Sequence, residues 1–108
     1  MREVKAIIRP QRLQAVLHAL QGIIDMPGVI VSTVHAYGKV TVPAPNTGTF
    51  GETTMSKLEA VVPEHLLDAV VDAIQTAAHT GHPGDGKVFV VAVDTVLSVR
   101  TGERASDS

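Results

Sequence analysis

Three glycines, a proline, an aspartate and a lysine fall within Thr80-Gly81-His82-Pro83-Gly84-Asp85-Gly86-Lys87. Such a run cannot continue a helix, and it leads straight into the apolar run Val88-Phe89-Val90-Val91-Ala92-Val93, so it reads as a helix-to-strand loop. Glycine lets backbone N–H groups turn outward into a concave nest with no Cβ in the way, and Lys87 adds a positive charge at the exit. That chemistry suits a phosphate group. It is not a Walker motif, because Lys87 is followed by Val88 and a strand rather than by Ser or Thr and a helix. The plainer alternative is a glycine-rich turn that only ends the helix before it.

Two other chemistries have candidate residues. His79 and His82 lie three apart and His35 stands upstream; three imidazoles brought together could hold zinc or nickel. The alternative is that His79 is a polar helix-end residue favoured by the helix dipole and His82 a solvated loop residue. His18 and His65 read as exposed helix residues. For catalysis, no Ser or Cys nucleophile sits in a recognisable elbow, and Glu59 and Asp85 form no evident acid/base pair. The enzyme hypothesis to test is phosphoryl transfer through His82 or His79; the expectation is that the chain is not an enzyme.

The elements that must position these residues follow from the pattern. One hundred and eight residues with 44% hydrophobic content make one domain, 1–108, with a small core. A formal charge of −2 and no Lys/Arg run demote nucleic acid and anionic membrane surfaces as partners. No cysteine means no disulfide, thiol catalysis or thiolate metal site, and fits a reducing compartment. With neither a signal peptide nor an apolar run near the roughly 18 residues of a membrane span, the expected location is cytoplasmic, without direct membrane insertion.

Val4 to Ile8 reads as a strand ending at Arg9-Pro10, with Pro10 at a helix start. Leu13, Val16, Leu17, Leu20 and Ile24 then give one apolar helical stripe, stopping near Gly22 to Gly28. Val29 to Tyr37 reads as the second strand. From Lys39 to Met55 neither period holds: Pro43, Pro45, Asn46, Gly48 and Gly51 lie among five threonines, as in a long functional loop or a tolerated surface insertion. Regular structure resumes at Lys57 to Val62, followed by Pro63 and a helix with Leu67, Val70, Val71, Ile74 and Ala78 on one face and Glu64, Asp68, Asp72 and Gln75 facing away. Val88 to Val99, interrupted by Asp94, is the last strand region, before a polar tail from Arg100. The order βαββαβ predicts an α+β ferredoxin-like plait, a four-stranded antiparallel sheet with both helices on one face.

Val29-Ile30-Val31 and Val88 to Val93 do not alternate apolar with polar, so both sheet faces are expected to be apolar, the second covered by further copies of the chain in a closed symmetric oligomer. A partner protein supplying that cover is the less economical alternative.

Ile7-Ile8-Arg9-Pro10 with Leu13, Val61-Val62-Pro63, Thr80-Gly81 with Gly84 to Val90, and Arg100-Thr101-Gly102-Glu103 resemble, in order, the signature segments of the PII signal-transduction family. The resemblance implies a homotrimer that binds adenine nucleotides between subunits and moves a long T-loop, about 38–56, onto a transporter, enzyme or transcription regulator. It implies a B-loop at about 79–87, with Gly84, Asp85, Gly86 and Lys87 holding phosphates, and a C-terminal tail at about 98–108. Ile7 and Val61 match positions on or near the adenine. Ile30, from the neighbouring subunit, matches a base-bonding threonine. Gly38 and Lys39 match the T-loop base, and Arg100 an arginine reaching phosphates from the adjacent chain.

Departures from the family pattern are informative. Val40 stands where a glutamine helps hold magnesium and 2-oxoglutarate, Met55 where a lysine pairs with ATP or the oxoacid, and Ser98 where the Arg-x-Arg segment has its first arginine. Neither Val40 nor Met55 can ligate a hard cation or pair with a carboxylate. The loop is a few residues shorter and has no tyrosine for uridylylation; Tyr37 lies in the preceding strand. ADP or AMP is therefore expected to bind at least as readily as ATP, with little 2-oxoglutarate response. The pattern resembles divergent PII-like groups tied to inorganic-carbon or metal transport, some of which bind bicarbonate beside a nucleotide.

Overall fold

The computed structural model describes residues 1–39 and 50–105. Strand β1 (Arg2–Ile8) leads through a 3-10 turn at Pro10–Arg12 into helix α1 (Leu13–Gln21) and strand β2 (Ile30–Lys39). Strand β3 (Phe50–Val62), a 3-10 turn at Glu64–Leu66, helix α2 (Leu67–Ala78) and strand β4 (Gly86–Ala92) repeat the pattern, and a short hairpin of β5 (Val96–Leu97) and β6 (Arg104–Ala105) follows. The main sheet is antiparallel in the order β2-β3-β1-β4. This is the expected split βαβ plait.

Alternation builds the core. On β1, Val4, Ala6 and Ile8 are buried, and on β3 Leu58, Ala60 and Val62; they share one cluster with Val16 and Leu20 of α1 and Val70, Ile74 and Ala78 of α2. Both helices therefore cover the same sheet face. Pro10 opens its turn without loss of a hydrogen bond, and the Arg12 guanidinium donates to the Ala77 carbonyl at 2.6 and 2.8 Å, tying the start of the first helical segment to the last turn of α2.

Several expectations are corrected. Ile24 lies beyond the end of α1 and is 82% exposed; Ile23 packs on the core instead. Phe50 to Met55 is regular strand, not loop: it pairs with β2 from Lys39↔Phe50 through Val34↔Met55, extending the hairpin past the end of β1 as a two-stranded arm. Ladder hydrogen bonds to β2 override its poor apolar pattern. Gly38 and Lys39 of the expected T-loop belong to β2 and Ser56 to β3, while 40–49, including Val40, lies outside the described residues. The last strand stops at Ala92; Val96 and Leu97 leave the main sheet to pair with β6, so most of the expected tail is hairpin, with 106–108 outside the described residues.

The sheet face away from the helices is apolar only in part. Glu3 and Lys5 of β1 and Lys57 and Glu59 of β3 form a charged centre there, with lysine–carboxylate distances of 3.7 and 3.8 Å. The edge strands behave as expected. Ile30 and Val31 on β2 and Phe89, Val90 and Val91 on β4 are 38–68% exposed in the single chain, because consecutive apolar residues point to both faces.

Candidate functional site

The Thr80–Lys87 loop is built around a carboxylate. Helix α2 ends at Ala78 and His79 takes an extended conformation as its cap, its N–H still on the Gln75 carbonyl. Asp85 then folds its side chain back into the loop. The Thr80 N–H donates to Asp85 Oδ2 at 2.8 Å, the Gly81 N–H to the same oxygen at 2.9 Å, and the Thr80 hydroxyl to Oδ1. From outside the loop, Arg9 Nε donates to Asp85 Oδ1 at 2.9 Å while its Nη2 donates to the Pro83 carbonyl at 2.7 Å. The His82 N–H donates to Thr80 Oγ at 3.2 Å. Thr80's hydroxyl, then its amide, then Arg9 hold the Asp85 carboxyl well below the usual carboxylate range, because each donor favours the ionised form.

Gly81, Gly84 and Gly86 all have positive φ. At Gly86 the requirement is absolute, since a Cβ would lie 1.7 Å from the Ile7 carbonyl oxygen. That close approach fixes the loop exit against β1, in the register Ile8↔Gly86 and Ile7↔Lys87.

The expected contact residues fall into two groups. At the end of the sheet where β1 finishes and β4 starts, Lys87 is paired with Ile7, and Ile7 is paired on its other side with Lys57. Directly opposed residues share a face, so two lysines flank Ile7 on the face away from the helices. The arm carrying Gly38 and Lys39, paired with Gly51 and Phe50, projects beyond this same end of β1. Val61 belongs elsewhere. It pairs with Glu3, four residues along β3 from Lys57 and so about 13 Å away. There it lines a shallow cleft of about 380 Å³ with Ile30, Glu3 and Glu59. Arg100 is carried past the far end of β4, on the exposed turn where the Gly102 N–H donates to the Ser98 carbonyl at 2.7 Å. Lys87 and Arg100 are thus joined to opposite ends of a seven-residue strand, about 20 Å long.

Asp85 is placed as the loop's internal acceptor, with its carboxylate turned onto four donors of the chain. Sequence reasoning missed Arg9 and Lys57. The β1–β4 register is the signal that could have found Arg9, since it follows the residue opposite Gly86. The histidines are not gathered: His35 Nδ1 lies 2.7 Å from Glu52 Oε1 on the arm, and His79 Nδ1 lies 3.9 Å from Asp85 Oδ2. Among the described residues no group of three or more His, Cys, Asp or Glu side chains is placed to hold a metal ion. A second cleft of about 410 Å³ lies on the helix side of the loop, between Val71, Gln75 and Ala78 of α2 and Gly86 to Val88.

A family profile described as "Nitrogen regulatory protein P-II" matches residues 1–103. A protein of that name from Azospirillum brasilense is 34% identical over all of this chain and 99% of its own length. One from Synechocystis sp. is 39% identical over the same shares. An Arabidopsis thaliana "Nitrogen regulatory protein P-II homolog" is 39% identical over 94% of this chain and 54% of its own length. No described helix is long and apolar enough to cross a membrane.

Proposed function

The chain belongs to the nitrogen regulatory protein P-II family, and from that premise we propose that it is a homotrimeric regulator, not an enzyme, that binds an adenine nucleotide at each seam between subunits. The observation that carries this reading is the separation of the contact residues. Ile7, Lys57, Lys87 and the arm stand at one end of the sheet; Ile30 and Val61 stand at the other, and Arg100 follows from that end. Within one chain, therefore, the expected contact residues are divided between the two ends of the sheet. Head-to-tail copies bring the first half of one subunit to the second half of the next, and a head-to-tail contact repeated by rotation closes a ring. Two chains then contribute cations to one polyphosphate. The apolar edge strands are the surface such a ring covers.

Within that seam the glycine-rich loop and Lys87 hold the proximal phosphates, and Ile7, Ile30 and Val61 bracket the base. Met55 supports a nucleotide preference that does not favour ATP: it is buried on β3, where neither a distal phosphate nor an oxoacid would find a charge. The bound nucleotide, with bicarbonate as second ligand, sets the conformation of the arm, and through it the protein docks on a transporter linked to inorganic-carbon or metal handling. Calorimetry with AMP, ADP and ATP, each with and without bicarbonate, 2-oxoglutarate and magnesium, tests the reading. It predicts adenylate binding with ADP or AMP at least as tight as ATP, and little change with 2-oxoglutarate. A clear 2-oxoglutarate signal dependent on Mg-ATP would contradict it.

A further inference from the structure

Arg9 is not among the residues that the phosphate-loop reading requires, yet its guanidinium, just past the end of β1, reaches into the interior of that loop. It bridges the Pro83 carbonyl and the Asp85 carboxylate, and lies so close beneath Gly84 that a Cβ there would come within 3.3 Å of Nη2. Asp85 in turn gathers Thr80 and Gly81. One cation therefore connects both flanks of the loop through one anion. Arg9 is well placed for this. The following Pro10 disfavours the helical region at Arg9, which is extended with ψ 136°, and β1 ends beside the first residues of β4.

We propose that Arg9 and Asp85 form a latch that fixes the loop in its anion-receiving shape, so that both are positioning residues and Asp85 is not itself a phosphate contact. This rests on the nucleotide reading above and adds the device that organises its site. A carboxylate presented to a phosphate would repel it; turned inward onto Thr80, Gly81 and Arg9, it spends its negative charge on the loop. Arg9 makes two directed bonds through a planar fork, which lysine cannot reproduce.

The test compares Arg9→Gln and Arg9→Lys with the unchanged protein by amide hydrogen exchange and by ADP calorimetry. In Arg9→Gln the Thr80 and Gly81 amides should exchange at least tenfold faster while β1 and β3 amides keep their rates. ADP affinity should fall at least tenfold, and Arg9→Lys should lie between the two. Unchanged Thr80 and Gly81 exchange in Arg9→Gln would overturn the latch, whatever ADP does. Faster exchange with undiminished ADP affinity would overturn its service to the site. Failure of the unchanged protein to bind ADP would overturn the nucleotide reading and the latch's role in it, while the exchange rates would still decide whether the latch exists.

Discussion

Lys87 and Arg100 each bring one positive charge to the proposed seam, and a charge-assisted contact to phosphate contributes about 1.5–3 kcal/mol. Lys87→Ala and Arg100→Ala are each expected to weaken ADP binding at least tenfold in calorimetry, with thermal unfolding little changed because both side chains are exposed. Gly86→Ala should act differently. Its Cβ would enter the Ile7 carbonyl, so the exit of the loop must shift, and a destabilisation above about 2 kcal/mol is expected in denaturant unfolding alongside loss of ADP binding. At this scale the sequence displayed the glycine spacing and the lysine but not what Asp85 does. A carboxylate in a glycine-rich loop can face in or out. The carboxylate is held inward by Thr80 and Gly81 of the loop and by Arg9, 76 residues away in the chain, and no local pattern reveals that last partner.

The loop as an element carries its own pH dependence. Asp85 has a depressed pKa in the folded chain, so its contribution is fully present above the ordinary aspartate value of about 4 and is lost as pH falls below that toward the folded value. Exchange of the Thr80 and Gly81 amides, corrected for intrinsic rates, should show constant protection from pH 7 to about 5 and declining protection at lower pH. In Asp85→Asn the protection should be low and flat throughout. The core elements should respond to volume instead: Leu58→Ala, in the middle of β3 and 2% exposed, is expected to lower stability by about 2–5 kcal/mol in denaturant titration. Both helices and the register-setting strands were legible because apolar spacing there is clean. Phe50 to Met55 was not, since Gly51, Glu52, Thr53 and Thr54 carry no apolar alternation and are strand by virtue of pairing with Lys39 to Val34. The charged centre of the open sheet face was overlooked for a related reason. The edge strands β2 and β4 dominate the impression of apolarity, while Glu3, Lys5, Lys57 and Glu59 sit between them on β1 and β3.

For the whole molecule, the account requires that no single chain hold a complete site. Lys87 stands at the start of β4 and Arg100 eight residues beyond its end, and Val61 lies with Ile30 rather than with Ile7. The sequence alone did not show that sorting of Val61, because residues close to one another in a family signature need not share a half-site. The central claim is tested most directly by mixing two defective chains. Lys87→Ala and Arg100→Ala homo-oligomers should each bind ADP weakly. When the two are co-expressed or unfolded and refolded together, a seam that joins the intact Lys87 of one chain to the intact Arg100 of its neighbour is restored. In a random trimer about a quarter of seams meet that condition. ADP calorimetry on the mixed assembly should therefore recover a minority class of sites at the unmutated affinity. If the mixture binds no better than its parents, the two residues do not meet across a seam and the account is contradicted.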